Sequence, residues 1–152
     1  MSSSQDIHMV DITDKPVTFR QAVAKGKVIM QASTLNMIKE DKLPKGNALA
    51  TARIAGIMAA KETHRLIPPC HPLLIDDIAI ELSLDEQTSA VEITAKVKGS
   101  GKTGFEMEAL TAVAVSALTI YDMCKALDST MRLENIRLTN KSGGKSGTVV
   151  LE

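Results

Sequence analysis

Apolar and polar residues alternate with two different periods along this chain, and the change of period marks its elements. From Asn47 to Ile67 no proline interrupts the chain, and Leu49, Ala52, Arg53, Gly56, Ala60 and Thr63 share one small-residue stripe at helical spacing. Pro68 and Pro69 end that helix, because proline cannot donate to or fit within a continuing one. Further on, Ile78, Ile80, Leu82 and Leu84 alternate with Ala79, Glu81, Ser83 and Asp85. After the polar turn Glu86-Gln87-Thr88, Val91, Ile93, Ala95 and Val97 alternate with Glu92, Thr94, Lys96 and Lys98. Period two on both sides of a short polar connection predicts a β-hairpin with one face in water. Phe105 to Leu127 is apolar on nearly every side and predicts a second long helix, buried all round.

Weaker signals fill the gaps. His8–Ile12, Val28–Ala32 and Leu133–Leu138 read as strands, and Thr34–Lys39 as a short helix. Residues 1–7 read as a flexible tail ahead of one catalytic domain, 8–152. Gly99–Gly104 and Asn140–Gly147 read as glycine-rich loops. From Val28 onward the order is β-α-β-β-α-β, the ferredoxin-like arrangement. The expected fold is therefore α+β, an antiparallel sheet with two long helices on one face.

Composition narrows the function. In 152 residues, 18 basic side chains balance 18 acidic ones. That argues against a nucleic-acid binder, whose affinity comes from neutralising phosphates. Aromatics are confined to Phe19, Phe105 and Tyr121, too few for base-stacking platforms. The apolar run Ala109–Tyr121 is too short to span a bilayer, so no membrane partner is expected. The two cysteines, Cys70 and Cys124, form no disulfide framework, and the N-terminus has no apolar signal region. A cytoplasmic protein is expected.

Five segments could carry chemistry. Gly101-Lys102-Thr103 and Gly144-Lys145-Ser146 resemble phosphate loops, but Lys96 and Thr139 stand where the first Walker glycine belongs. Both read as solvent turns that nonetheless suit anions. In Pro68-Pro69-Cys70-His71-Pro72, three prolines fix the backbone around one Cys and one His. Cys70, His71 and His64 do not make a metal-ligand set. Glu106 and Glu108 flank Met107 at the start of the second long helix, where the helix dipole favours acids. Asp122 follows the apolar run near that helix's end, where the dipole disfavours it. Burial would raise its pKa, and Lys125, three residues on, would lower it. The pair is either a structural ion pair or an acid/base pair in a pocket, and a tuned pair on a buried helix favours the second.

These segments, taken together, resemble the molybdenum cofactor biosynthesis protein C family, the cyclic pyranopterin monophosphate synthases. The matching blocks are His8–Lys15, Leu43–Asn47, Ala50–Ile57, Leu66–Leu73 (LIPPCHPL), Lys102–Thr111 (KTGFEMEALT), Leu118–Ala126 (LTIYDMCKA) and Lys141–Gly147 (KSGGKSG). Pro69 stands where a larger aliphatic residue is expected, and Phe105 replaces a smaller one. Both are expected beside the site. The resemblance implies a lyase that converts 3',8-cyclo-7,8-dihydroguanosine 5'-triphosphate into cyclic pyranopterin monophosphate and diphosphate. It also implies a homohexamer, a trimer of dimers, with sites between subunits. Its catalytic aspartate and lysine fall on Asp122 and Lys125. Its substrate-binding residues fall on Pro69, Cys70, His71, Met107 and Glu108, with Asp11, Lys45, Lys61, Glu106 and Lys141 completing the pocket. Lys145 is a further candidate for the phosphates. No cofactor is expected; Mg²⁺ commonly accompanies a triphosphate, but no carboxylate cluster demands it. The competing reading is a non-catalytic ferredoxin-like module that binds a nucleotide at a subunit interface.

Overall fold

The computed structural model describes residues 5–152. The elements run β1 (Thr18–Ile29), α1 (Ala32–Lys39), α2 (Ala48–Leu66), β2 (Ile75–Asp85), β3 (Ala90–Gly101), α3 (Glu106–Cys124), β4 (Arg132–Ser142) and β5 (Val149–Val150). All strand pairs are antiparallel, in the order β2-β3-β1-β4-β5. Without α1 and β5 this is the ferredoxin-like core, as expected. Residues 1–4 of the expected tail lie outside the described residues, and 5–7 are exposed.

The hairpin forms as expected, in a register that sets Ile80 opposite Ala95 and Leu82 opposite Ile93. Its polar positions, from Glu81 to Lys98, face solvent wholly or in part. The central strand β1 starts ten residues before the expected Val28. Its helix-facing positions are Ala22, Ala24, Gly26 and Val28, so the apolar signal is weak. The small residues have a cause. A Cβ on Gly26 would lie 2.8 Å from Val113 Cγ1 of α3 and 3.0 Å from Ile136 Cγ1 of β4. The same closeness joins the helices, since a Cβ on Gly56 of α2 would overlap Ser116 Oγ and Ile80 Cδ1. Ser116 Oγ in turn donates to the Ala52 carbonyl at 3.0 Å.

Three expectations need correction. His8–Ile12 is not a strand: Thr13 N and Oγ1 donate to Asp11 Oδ1, at 2.9 and 2.5 Å, and fold the chain into a local turn. Gly99–Gly101 belong to β3 rather than to a loop, and Gly99 admits the Leu74 carbonyl and the Phe105 ring where a Cβ would not fit. Phe105 is wholly buried beneath it, so this side chain fills core and does not shape a pocket. Finally, α3 is not buried all round. Ala109, Ala112, Val113, Ser116, Ala117 and Ile120 are buried, but Leu118 and Asp122 are exposed on its outer side.

One carboxylate ties the end of α3 to the start of α1. Gln31 does not cap α1 with its own side chain. Instead Asp128 Oδ2 accepts from Gln31 N (2.9 Å) and Thr34 Oγ1 (3.0 Å), while Oδ1 accepts from Thr130 N (2.8 Å) and Thr130 Oγ1 (2.6 Å). Burial pushes the Asp128 carboxyl up, but these donors outweigh it and hold the pKa at about 2. A carboxylate depressed by folding stabilises the fold above its ordinary pKa. The contribution of Asp128 should therefore be complete above about pH 4 and disappear as pH falls towards 2. Asp128→Ala should cost about 3 kcal/mol at pH 7, because it strips several charged hydrogen bonds. Urea melts of both proteins from pH 7 to pH 2 should show the gap closing in acid.

Candidate functional site

The N-terminal end of α3 carries three of the candidates. Glu106 and Glu108 occupy its first turn, where the free amide groups favour carboxylates. They part company in environment. Glu106 accepts from Lys141 Nζ at 3.2 Å. Glu108 is 3% exposed, and its Oε1 has no hydrogen-bond partner. Burial raises its pKa, against its own backbone N–H and the Cys70 thiol, and the neighbouring Glu106 charge raises it further. Cys70 Sγ lies 3.7 Å from Glu108 Oε2 and donates to it. Burial first, and Glu108 second, push the Cys70 thiol up to about 11. Cys70 is therefore a thiol at neutral pH and not a thiolate nucleophile.

Two adjoining hollows open at this end. One, of about 260 Å³, is lined by Pro69, Cys70, His71, Glu106 and Met107, with Val10, Ile12 and Lys15 as its outer wall. The other, of about 160 Å³, is lined by Lys15, Arg20, Lys141 and Lys145, with Glu106 the one carboxylate among its lining residues. Thr103, Gly104, Glu106 and Lys15 belong to both, so the two form one continuous opening. Its first part offers the Cys70 thiol and the His71 imidazole, with the Glu108 carboxyl buried behind Cys70. Its second part offers four cations, the chemistry of an anion site.

Arg20 belongs to the recess although no motif marks it. It is 8% exposed; its Nε donates to the Gly101 carbonyl at 3.0 Å and Nη2 to the Lys102 carbonyl at 3.3 Å. Gly143 and Gly144 both have positive φ; a Cβ on Gly143 would overlap the Phe19 and Arg20 backbone, and one on Gly144 would overlap the Arg20 guanidinium. Gly143 thus lets the KSGGKSG segment close on the β1 backbone, and Gly144 lets it close over this guanidinium. The signal was the alternation Arg20-Ala22-Ala24, which puts a cation on the inward face of a strand.

The opposite end of α3 carries a second group. Asp122 Oδ1 lies 3.0 Å from Lys125 Nζ, and Oδ2 lies 3.1 Å from Lys45 Nζ. Lys45 also donates to the Asp122 carbonyl at 3.1 Å. Hydrogen bonds from Lys125 and then Lys45 hold the carboxyl below its ordinary pKa. All three side chains are about half exposed, which corrects the expectation of a buried acid. Exposed pairs of this kind add little to stability. From Glu106 to Asp122 the helix rises about 24 Å at 1.5 Å per residue. One chain therefore does not bring the two groups together. Lys61 joins neither: it sits on α2 beside a separate shallow recess with Leu73, Asp76 and Asp77. Asp11 is exposed, its carboxyl lowered chiefly by the Thr13 hydroxyl. Among the described residues, no three His, Cys, Asp or Glu side chains gather as a metal-ion site.

A family model described as the MoaC family matches residues 9–144. The chain is 59% identical to a cyclic pyranopterin monophosphate synthase of Parvibaculum lavamentivorans, over 91% of this chain and 87% of that one. It is 58% identical to the protein of the same name in Roseiflexus castenholzii, over 95% and 91% of the two chains. It is 54% identical to the one in Heliobacterium modesticaldum, over the same shares.

The buried Glu108 makes a checkable statement. An acid whose pKa is raised by folding loses stability for the protein as pH rises through the folded value. Glu108→Gln removes that charge. It should melt with wild type near pH 4 and be more stable by about 1 kcal/mol at pH 8, the scale of relieving one ill-satisfied buried group. Melts that coincide at both pH values would remove the strain attributed to this carboxyl.

Proposed function

The chain belongs to the MoaC family, and on that premise we propose that it is a lyase, a cyclic pyranopterin monophosphate synthase. It converts 3',8-cyclo-7,8-dihydroguanosine 5'-triphosphate to cyclic pyranopterin monophosphate and diphosphate, an early step of molybdenum cofactor biosynthesis. The observation that carries the reading is the continuous opening at the start of α3. It joins a four-cation recess, sized for phosphates, to a cleft lined by Cys70 and His71, with the buried Glu108 carboxyl behind Cys70 and one of its oxygens unpartnered. A nucleoside triphosphate has the matching two ends. The alternative of a regulatory module gains nothing from relatives that are named as synthases.

In this reading Lys15, Arg20, Lys141 and Lys145 hold the triphosphate, and Glu108 accepts from the guanine-derived N–H groups. Cys70 and His71 line the ring's side of the cleft. Opening of the purine and reclosure as a pterin need proton transfers. Asp122, kept ionised by its two lysines, accepts a proton, and the Lys125 ammonium donates one. A sugar hydroxyl then attacks the α-phosphorus. Its O–P bond forms as the bond to the bridging oxygen breaks, and diphosphate leaves with its charge met by the lysines. No cofactor enters this scheme, and Mg²⁺ carried by the triphosphate would arrive as part of the substrate.

The separation of about 24 Å sets the assembly. Asp122, Lys125 and Lys45 of one chain serve the opening of another, which a two-fold pairing of antiparallel α3 helices would allow. The exposed outer side of α3, with Met107 and Leu118, fits a covered surface. A hexamer of three such dimers is part of the proposal, with Lys61 and Asp11 joining the pocket there. So is a cytoplasmic setting, in keeping with two free cysteines.

Asp122→Asn tests the chemistry. It keeps size and hydrogen bonding, and an exposed pair contributes little to folding, so the melt should barely move. Single-turnover diphosphate release should fall about a hundredfold or more, with substrate binding changed far less. Lys125→Ala should lose activity as well, and the double variant less than the two losses combined. Near-normal release from a well-folded Asp122→Asn protein would remove Asp122 from the mechanism.

A further inference from the structure

Lys102 has no part in the scheme above, although its segment resembles a phosphate loop. Its ammonium does not line the cationic recess. It points instead to the N-terminal segment, donating to the Thr13 carbonyl at 3.2 Å. Among the described residues this is the one hydrogen bond that joins residues 5–17 to the rest of the fold. Every other hydrogen bond in the segment is local. Asp11 Oδ1 accepts from Thr13 N and Oγ1, and Lys15 N donates to the Ile12 carbonyl at 3.1 Å.

That segment supplies a wall of the cleft. Val10 and Ile12 face Cys70 and His71 across it, and Lys15 reaches both the cleft and the recess. The base of Lys102, by contrast, is fixed. Buried Arg20 holds the Gly101 and Lys102 carbonyls to β1. A rigid loop thus presents one lysine to a strap that has no other hydrogen-bonded hold.

We propose that Lys102 is a latch, a positioning residue that holds the strap 8–15 across the Cys70–His71 cleft and sets how far that cleft opens. It acts through the strap and touches no phosphate. That the cleft takes the nucleotide rests on the function proposed above; the latch itself does not. Lys15 is then kept at the site through Lys102.

Cys70 reports the strap directly, because it lies in the cleft the strap walls. Cys124 is fully buried in the core and serves as an internal control. Lys102→Met removes the ammonium and keeps the apolar stem. Alkylation of Cys70 by iodoacetamide at pH 8.5, followed by mass spectrometry, should be about three- to tenfold faster in this variant, the shift that one lost hydrogen bond gives an opening equilibrium. Cys124 should stay unmodified, and Lys102→Arg, which keeps a donor, should recover most of the protection. For diphosphate release, KM should rise in Lys102→Met while kcat holds. Unchanged Cys70 alkylation in folded Lys102→Met would overturn the latch. So would weaker binding of inorganic diphosphate with alkylation unchanged, since that would make Lys102 a phosphate ligand. Faster alkylation in a protein whose wild type releases no diphosphate would keep the latch and refute the proposed function instead.

Discussion

Helix α3, 19 residues long, fixes the distance between the two candidate groups, one at each of its ends. It cannot flex to shorten its length of about 28 Å, and its packing leaves it nowhere to slide. Gly26 beneath it and Gly56 beside it let β1 and α2 approach until side chains of Val113 and Ser116 occupy the space a Cβ would need. Close packing of this kind transmits position without slack. Glu106 and Glu108 at one end, and Asp122 at the other, are therefore held apart by the same contacts that hold the domain together.

The two ends are also opposite in electrostatics. Glu108 is buried with one oxygen unpartnered, beside a thiol that keeps its proton. Asp122 is exposed between two ammonium groups and keeps its charge. One carboxyl is costly to ionise and suited to recognising a donor; the other is ionised and suited to taking a proton. Carboxyl groups tuned apart in this way are a mark of acid–base sites. The cationic recess beside Glu106 adds the third requirement of a nucleoside triphosphate, a place for its phosphates.

Much of this was legible in the residues. The hairpin declared itself because one of its faces is wet, and α2 because prolines end it. The central strand did not, because Ala22, Ala24 and Gly26 are small for the sake of α3 and carry almost no apolar signal. The motif segments supply most of the candidate residues by type. What they could not give was burial. Asp122 follows an apolar run, yet the outer side of α3 is open in this chain, so the acid is exposed. Arg20 escaped notice because it belongs to no charged cluster in sequence and is gathered with Lys141 and Lys145 only by the β1–β4 pairing. The glycine neighbours of Lys102 suggest a phosphate loop, while its partner, Thr13, lies 89 residues away.

The central claim is that a complete site draws Glu108 and Asp122 from different copies of the chain. Mixing two variants, each lacking one of the two proposed carboxylates and each expected to be inactive, tests it most directly. Differently tagged Asp122→Asn and Glu108→Gln proteins, dissociated and reassembled together, give hybrid oligomers in which some sites receive both native groups. Diphosphate release should then return to about a quarter of wild type, the share of intact sites under random pairing. Hybrids that form, as the two tags show, yet remain as inactive as either parent would mean that each site is built within one chain, and the account would fail.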